Sequence, residues 1–528
     1  MNKKRLGFIV VLLVLLATSV YAGTVIVNTV LRANQIRANQ YCDINGENCV
    51  DSLSGGSGNQ CSSRSVTVGL TGDYQTINSA LNSLTSCTIN YPQNLAYSTI
   101  TLLEDYVMQE QVIVDGQNLG WIRIEGVSPK TIVQGSSITI SVRGGRTVFA
   151  AVDGGFLPII DQLFELDSSS EDDIRGILAA GPASGARIAS GAGFNNATVG
   201  ILAKNGGTIF AEGAFAQNSK VIGFGASQGS TLIANDANAH GSGRGINAVH
   251  SSSVSAINAT VTNSIHGVYA SHGSTITAQG VDARNAQLNG FTATRGSTVI
   301  AHHARANNAG SGGFVASQNS AIYALNSSAL NSGEYGYFAT ISSTIDARNS
   351  SARYSHRPII VSQGSTVSAR YFDGRNADLD GIYVRDSSSA DVRNSQFQSA
   401  ERYGIRAYGS SNIQAEDSNV RYASSGGVRA EQVSIINAQD VDARNSGGRG
   451  IFAAHGSTIN AHRADARNSA EEGMYAAYGS TINAHNSQSS GTNAYRVNSG
   501  STINAVETTG TVLPSSVNTL SREGIIYR

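Results

Sequence analysis

Asp386 and Glu431 stand among arginines and tyrosines in a repeated stretch of this chain. A carboxylate pair is what acid and base chemistry on a glycosidic bond requires. Tyr383, Arg385, Arg406, Tyr408 and Arg429 take equivalent repeat positions around them, and Tyr475 follows further on. Aromatic rings stack on sugar faces, while guanidinium groups bind hydroxyls or carboxylates. Two repeats separate the carboxylates, roughly 10 Å at the ~4.8 Å spacing of stacked strands, approaching the ~6.5–9.5 Å of an inverting glycosidase. The same side chains without turnover would make a binding patch. Charges on an exposed strand also solvate it and discourage edge pairing.

The repeat that would position these residues reads most clearly as Gly450-Ile-Phe-Ala-Ala-His-Gly-Ser-Thr-Ile-Asn-Ala461, followed by Gly473-Met-Tyr-Ala-Ala-Tyr-Gly-Ser-Thr-Ile-Asn-Ala484. Anchor glycines recur at steps such as 23 (Gly450 to Gly473) and 22 (Gly245 to Gly267). Fixed-period self-similarity sets the whole fold. After each anchor comes an apolar residue (Ile201, Phe224, Phe291, Phe314, Ile405, Ile451) and, two further on, a small one such as Ala203, Ala293 or Ala453. That alternation is a strand with one buried face. A Gly-Ser corner, a second strand of the Thr-Ile-x-Ala type and a third stretch of the Asp-Ala-Arg-Asn type complete one coil.

Asn195, Asn218, Asn285, Asn308, Asn331, Asn376, Asn445 and Asn468 lie five residues before the next anchor, and equal offsets predict a ladder bonding the backbone of neighbouring turns. The pattern predicts an all-β fold, a right-handed parallel β-helix with three strands per 22–23-residue coil. Ile77, Leu81 and Leu84 fall at helical spacing, which predicts a short amphipathic helix capping the open end of the solenoid.

The expected organisation is a signal peptide over 1–22, a Cys-pair segment and Ser/Gly linker over 23–65, and the capping helix with irregular coils over 66–175. The regular β-helix then runs over 176–505 and a tail over 506–528. The leader has a basic start, an apolar core from Leu6 to Ala17 and a small residue at Ala22, so the chain reads as secreted or cell-surface; an uncleaved anchor is the rival. Cys42, Cys49, Cys61 and Cys87 all precede the repeats, and an even count in an exported chain points to disulfides, with Cys42 and Cys49 able to close a hairpin. No metal site or cofactor is indicated, because no histidine lies near these cysteines and calcium-binding nonapeptides are absent. A net charge of −1 with 14% charged residues gives no basic stripe, which excludes nucleic acid as a partner. Tyr269, Phe338, Phe452 and Tyr475 share one outward slot, an exposed stripe suited to ligand stacking or to an oligomer face.

From Asp73 to about Ala505 the chain resembles the pectin-lyase-like superfamily of right-handed β-helices. Ile100–Val114 with Leu119–Ile124, Gly154–Asp167 and the Tyr41–Cys49 segment are similar to β-helical fibre or tailspike proteins of phages and prophages. The superfamily resemblance implies polysaccharide or cell-surface glycan as partner, and the fibre resemblance implies a homo-oligomer, with a trimer as its form. Fold alone leaves function open. The polygalacturonase set is incomplete, since Asp172-Asp173 is the only Asp-Asp and neither Gly-His-Gly nor Arg-x-Lys occurs; the pectate-lyase elements are also missing. The leading reading is a secreted, fibre- or adhesin-like β-helix that binds glycan without catalysis. A polysaccharide hydrolase or lyase working through Asp386 and Glu431 is the alternative, and a purely structural oligomeric rod the second.

Overall fold

The structure, a computed structural model, describes residues 63–86, 98–167, 173–509, 512–513 and 524–527. The leader and all four cysteines lie outside them. No helix among the described residues is long and apolar enough to cross a membrane. The chain divides into two compact units, Met1–Arg64 with Leu81–Ser98, and Ser65–Ala80 with Thr99–Arg528. In the first, the Thr85 hydroxyl donates to the Leu81 carbonyl at 2.9 Å, inside the last turn of the helix Ile77–Thr85. The start of that helix belongs to the second unit. There the backbone N–H groups of Ile77 and Asn78 donate to the Glu110 carboxylate at 2.6 and 2.9 Å, the placement a helix N-terminus favours for an anion.

The second unit is a parallel β-solenoid. Its first sheet has eighteen described strands, one per coil from Val112–Asp115 to Val512–Leu513, and its second has sixteen, from Gly185–Arg187 to Gly524–Tyr527. Register is kept coil after coil: Ile382 pairs with Ile405, Ile405 with Val428, and Val428 with Ile451. The apolar slot after the anchor is buried throughout, and within it the Phe291, Phe314 and Tyr337 rings stack with centroids 4.7 and 4.8 Å apart. The third stretch is thinner than the expected strand. It forms a three-stranded sheet early on, but from Phe215 to Asp465 most coils contribute a single bridged residue, such as Asp282 to Arg305.

Anchor glycines are required for space. A Cβ on Gly290 would lie 2.5 Å from the Ala306 Cβ, and one on Gly450 would lie 2.7 Å from that of Ala466. The strand bends there. The anchor and the residue after it both face the interior, so the residue before the anchor is turned to the same outer face as those two and four after it.

The asparagine ladder differs from expectation. Asn218, Asn285, Asn308, Asn331, Asn376, Asn445 and Asn468 occupy the left-handed region, with φ of 55–60° at a corner, a conformation that asparagine tolerates better than most residues. Asn195 keeps the expected role, its Oδ1 accepting the Gln217 N–H of the next turn at 2.8 Å; among the others the amides bond each other, Asn308 Nδ2 donating to Asn285 Oδ1 at 3.0 Å and Asn468 Nδ2 to Asn445 Oδ1 at 3.2 Å. The coil-to-coil ladder made to backbone runs through the serine of the Gly-Ser corner. Ser230 N–H donates to Ser252 Oγ, and the pattern repeats through Ser274, Ser297, Ser320, Ser343, Ser365, Ser388, Ser411, Ser434, Ser457, Ser480 and Ser501 at 3.0–3.4 Å. Every one of these serines is buried.

Ser297→Ala removes the acceptor of a buried N–H and is expected to lower the unfolding free energy by about 1–3 kcal/mol. Val433, a β-branched residue held at φ 61° on the same corner, gives the opposite expectation: Val433→Gly raises stability by about 1 kcal/mol. Urea denaturation of both variants against the parent checks the two signs.

Candidate functional site

The outer face of the first sheet carries the polar chemistry. Three columns run along it, at one before, two after and four after each anchor. In the later coils the first column reads Arg357, Asp380, Tyr403, Gly426, Arg449 and Glu472, and the second reads Ile360, Tyr383, Arg406, Arg429, Phe452, Tyr475 and Arg496. The third holds Arg385, Tyr408 and Glu431 in register.

Guanidinium groups interleave with rings across these columns. Arg406 lies 4.9 Å from the Tyr383 ring centroid and 5.6 Å from that of Tyr403, and Arg429 lies 4.9 Å from Tyr403 and 5.1 Å from Phe452. Arg449 covers both Phe452 and Tyr475 at 4.7 Å, and Arg496 reaches Tyr475 at 5.2 Å. The expected exposed aromatic stripe is therefore corrected. Phe452 and Tyr475 stack with centroids 5.2 Å apart and are buried under the chain's own arginines, while Tyr269 and Phe338 are half-buried beneath Arg244 and beside Tyr335.

Carboxylates lock the cations in place. Glu431 accepts from Arg406 at 3.1 Å and from Arg429 at 2.6 Å, and Glu472 accepts from Arg449 at 2.8 Å and from Arg496 at 2.6 Å. Burial pushes the Glu431 carboxyl up, but the hydrogen bonds and charges of Arg429 and Arg406 outweigh it and hold it below its ordinary range. Glu472 is held down in the same way by Arg449 and Arg496 against its own burial. Asp380 is the counter-case. Its side chain has no solvent exposure, its nearest arginines, Arg357 and Arg402, stand 3.8 and 3.9 Å away, and burial raises it despite the opposing charges of Arg402, Arg406 and Arg357.

Asp386 sits apart from this network. It occupies the corner after the strand at φ 57°, exposed, with Arg385 Nε at 3.6 Å. Arg385 itself is exposed, and Tyr383 and Tyr408 are half-buried.

Among these later coils the break in the first column is Gly426. Beside it a pocket of about 310 Å³ opens between Tyr403 and Arg449, flanked by Arg429 and Phe452, with Val428, Ser424, Ser425, Gly447, Gly448 and Glu471 completing its walls. Glycines at 447 and 448 let two coils meet closely there, since a Cβ on either would fall 2.2 Å from the carbonyl oxygen of Ser424 or Ser425. The residue-type reading of the repeats missed Tyr403, Gly426, Arg449 and Glu471. The signal was present in the slot before each anchor, which varies in type where the buried slots do not.

A family model described as a right-handed β-helix region matches residues 380–527. Together with the parallel rungs, it makes the solenoid a right-handed parallel β-helix. No curated protein matches the chain. Among solved structures, a mutant of the periplasmic alginate epimerase AlgG is similar at 10% identity over 72% of this chain and 84% of its own, with a TM-score of 0.29. The catalytic domain of a GH87 α-1,3-glucanase variant with nigerose is similar at 12% identity over 76% and 68%, with a TM-score of 0.28. The A-module of the Azotobacter vinelandii mannuronan C-5 epimerase AlgE4 is similar at 12% identity over 82% and 91%, with a TM-score of 0.24.

Glu431→Gln is expected to destabilise the chain at neutral pH by about 3 kcal/mol, because two largely covered arginines lose their counter-charge. Since the folded carboxyl lies below its ordinary 4.5, its contribution is present above that value and fades as the pH falls through the lower folded value. Thermal unfolding at stepped pH should therefore show the gap between parent and variant closing below about pH 4.5.

Proposed function

We propose that this protein is a secreted or surface-exposed β-helix that binds glycan on the outer face of its first sheet without catalysing a reaction on it. The observation that carries the reading is the gap at Gly426, a missing side chain in a column otherwise filled from Tyr335 to Glu472, bounded by an aromatic ring and a guanidinium group. Such a gap offers a sugar a largely polar wall, with hydrogen-bond donors and an acceptor on one rigid frame. Arg406, Arg429 and Tyr383 contribute by holding that wall rather than by reaching into solvent.

The same geometry speaks against the carboxylate pair as catalysts. Glu431 is fixed between two arginines and held ionised, so it has no proton to donate and little freedom to attack. Asp386 lies on an exposed corner one step outside the Glu431 column. The aromatic stripe also gives no support to self-association, because the chain's own arginines cover Phe452 and Tyr475; an oligomer, trimeric or otherwise, rests on the fibre resemblance.

The test is to incubate the exported form with a panel of neutral and acidic polysaccharides, following new reducing ends, unsaturated uronates and retention on the immobilised polymers. Retention without new ends is the expected result, with Phe452→Ala weakening it about tenfold and Asp386→Ala leaving it unchanged. New ends or unsaturated products that disappear in Asp386→Ala would make the protein a depolymerase. Absence of both turnover and retention would leave a structural rod.

A further inference from the structure

Resting on the glycan-binding reading, we infer that the Gly426 pocket takes one uncharged sugar ring, presented as a chain end or a branch. It is not a groove for a long acidic polymer. The first argument is dimensional. Tyr403, Gly426 and Arg449 follow one another in the column at one rung each, and the Tyr403 ring leans over Gly426, 3.3 Å from where a Cβ would stand, while the Arg449 guanidinium lies over Phe452 and Tyr475. The space that remains, about 310 Å³, lies at the small end of ligand pockets and suits a single sugar ring. Tyr403 and Arg449 line the pocket on opposite sides of Gly426 along the solenoid axis. A polymer lying along the sheet would have to pass through those side chains. A terminal or branching residue entering from solvent would not.

The second argument is electrostatic. The two cations that face the pocket are already matched: Arg429 donates to Glu431 at 2.6 Å, and Arg449 contacts Glu472 at 2.8 Å and Glu471 at 3.4 Å. The Glu471 side chain stays 57% exposed and lines the opening. A uronate or sulfate would meet that negative charge with no unpaired guanidinium to offset it. A neutral sugar meets instead an acceptor able to take hydrogen bonds from adjacent hydroxyls, which charge makes strong. The earlier glycine in the same column does not offer the same space, because the site beside Gly312 is filled by Val315, whose methyl lies 2.5 Å from where a Cβ would stand.

The experiment uses the full exported chain, immobilised neutral polysaccharides (glucans, galactans and mannans) and immobilised polyuronates. Soluble methyl glycosides of neutral hexoses and of glucuronate serve as competitors. Expected are retention on at least one neutral polymer, its displacement by a methyl hexoside but not by the glucuronide, and loss of retention in Ser425→Trp. That variant fills the opening from an exposed position without touching the backbone contacts of Gly426. Glu471→Gln, a surface change that leaves the fold intact, should weaken neutral retention about tenfold and admit the glucuronide. Retention confined to polyuronates would overturn the uncharged-sugar inference and leave glycan binding standing. Retention on a neutral polymer that no methyl glycoside displaces would overturn the single-ring inference alone. No retention on any polymer would overturn both.

Discussion

Every coil of this solenoid must present the same residue to the coil above and the coil below. The buried serine column expresses that constraint most directly. Each Ser Oγ accepts the backbone N–H of the serine one turn earlier, at the corner where two residues in left-handed conformation interrupt the sheet ladder. Water cannot reach these groups, so a missing hydroxyl would leave an N–H unpaired in a low-dielectric interior. The corner residues are thereby fixed twice, by backbone conformation and by side-chain acceptance. The flat stack of Phe291, Phe314 and Tyr337 depends on the registry this enforces.

Uniform stacking leaves little freedom for function inside the solenoid, and variation is confined to slots whose side chains leave the coil. On the first sheet the bend at each anchor adds a third such column beside the two that alternation provides. The extra column supplies Tyr403, which meets Arg429, Arg449, which covers Phe452 and Tyr475, and Glu472, which accepts from Arg496. Rings and carboxylates are interleaved with the arginines, and the adjacent pair Arg406 and Arg429 shares Glu431 as counter-charge. That is why a strand face so rich in arginine is mostly covered rather than extended into solvent.

Legibility followed this division. The buried slots could be read because they repeat: the apolar residue after the anchor, the alanine two beyond it and the Gly-Ser corner each recur with one meaning, and Ile201, Phe314, Ala453 and Ile482 all lie where alternation puts them. The serine was read as part of a corner and its hydrogen bond was not, since a ladder needs the direction of an N–H that spacing does not reveal. The asparagines were assigned a ladder to backbone because offset alone cannot distinguish an amide bonding main chain from a residue chosen for φ near 55–60°. The outer face was least legible. Alternation counted from the anchor hides the bend, which made Phe452 and Tyr475 look exposed and left Arg449 and Gly426 unassigned.

The two fates of acidic residues on this face decide how its chemistry should be understood. Glu431 and Glu472 each sit between two arginines and are drawn further into the charged form, whereas Asp380, one coil from Tyr403 and out of hydrogen-bond reach of its cations, is pushed toward the neutral form. A pair of carboxylates with separated affinities for protons is what acid and base catalysis exploits. Here, however, the raised member is sealed from solvent and the lowered members are already bound, so neither can meet a substrate. The proton-carrying capacity of the face is spent on holding side chains in place, and what reaches the surface is a shaped gap with the exposed carboxylate of Glu471 at its edge. Rigid walls with an unoccupied layer favour recognition, because the ordering cost of the wall has been met in folding rather than in binding.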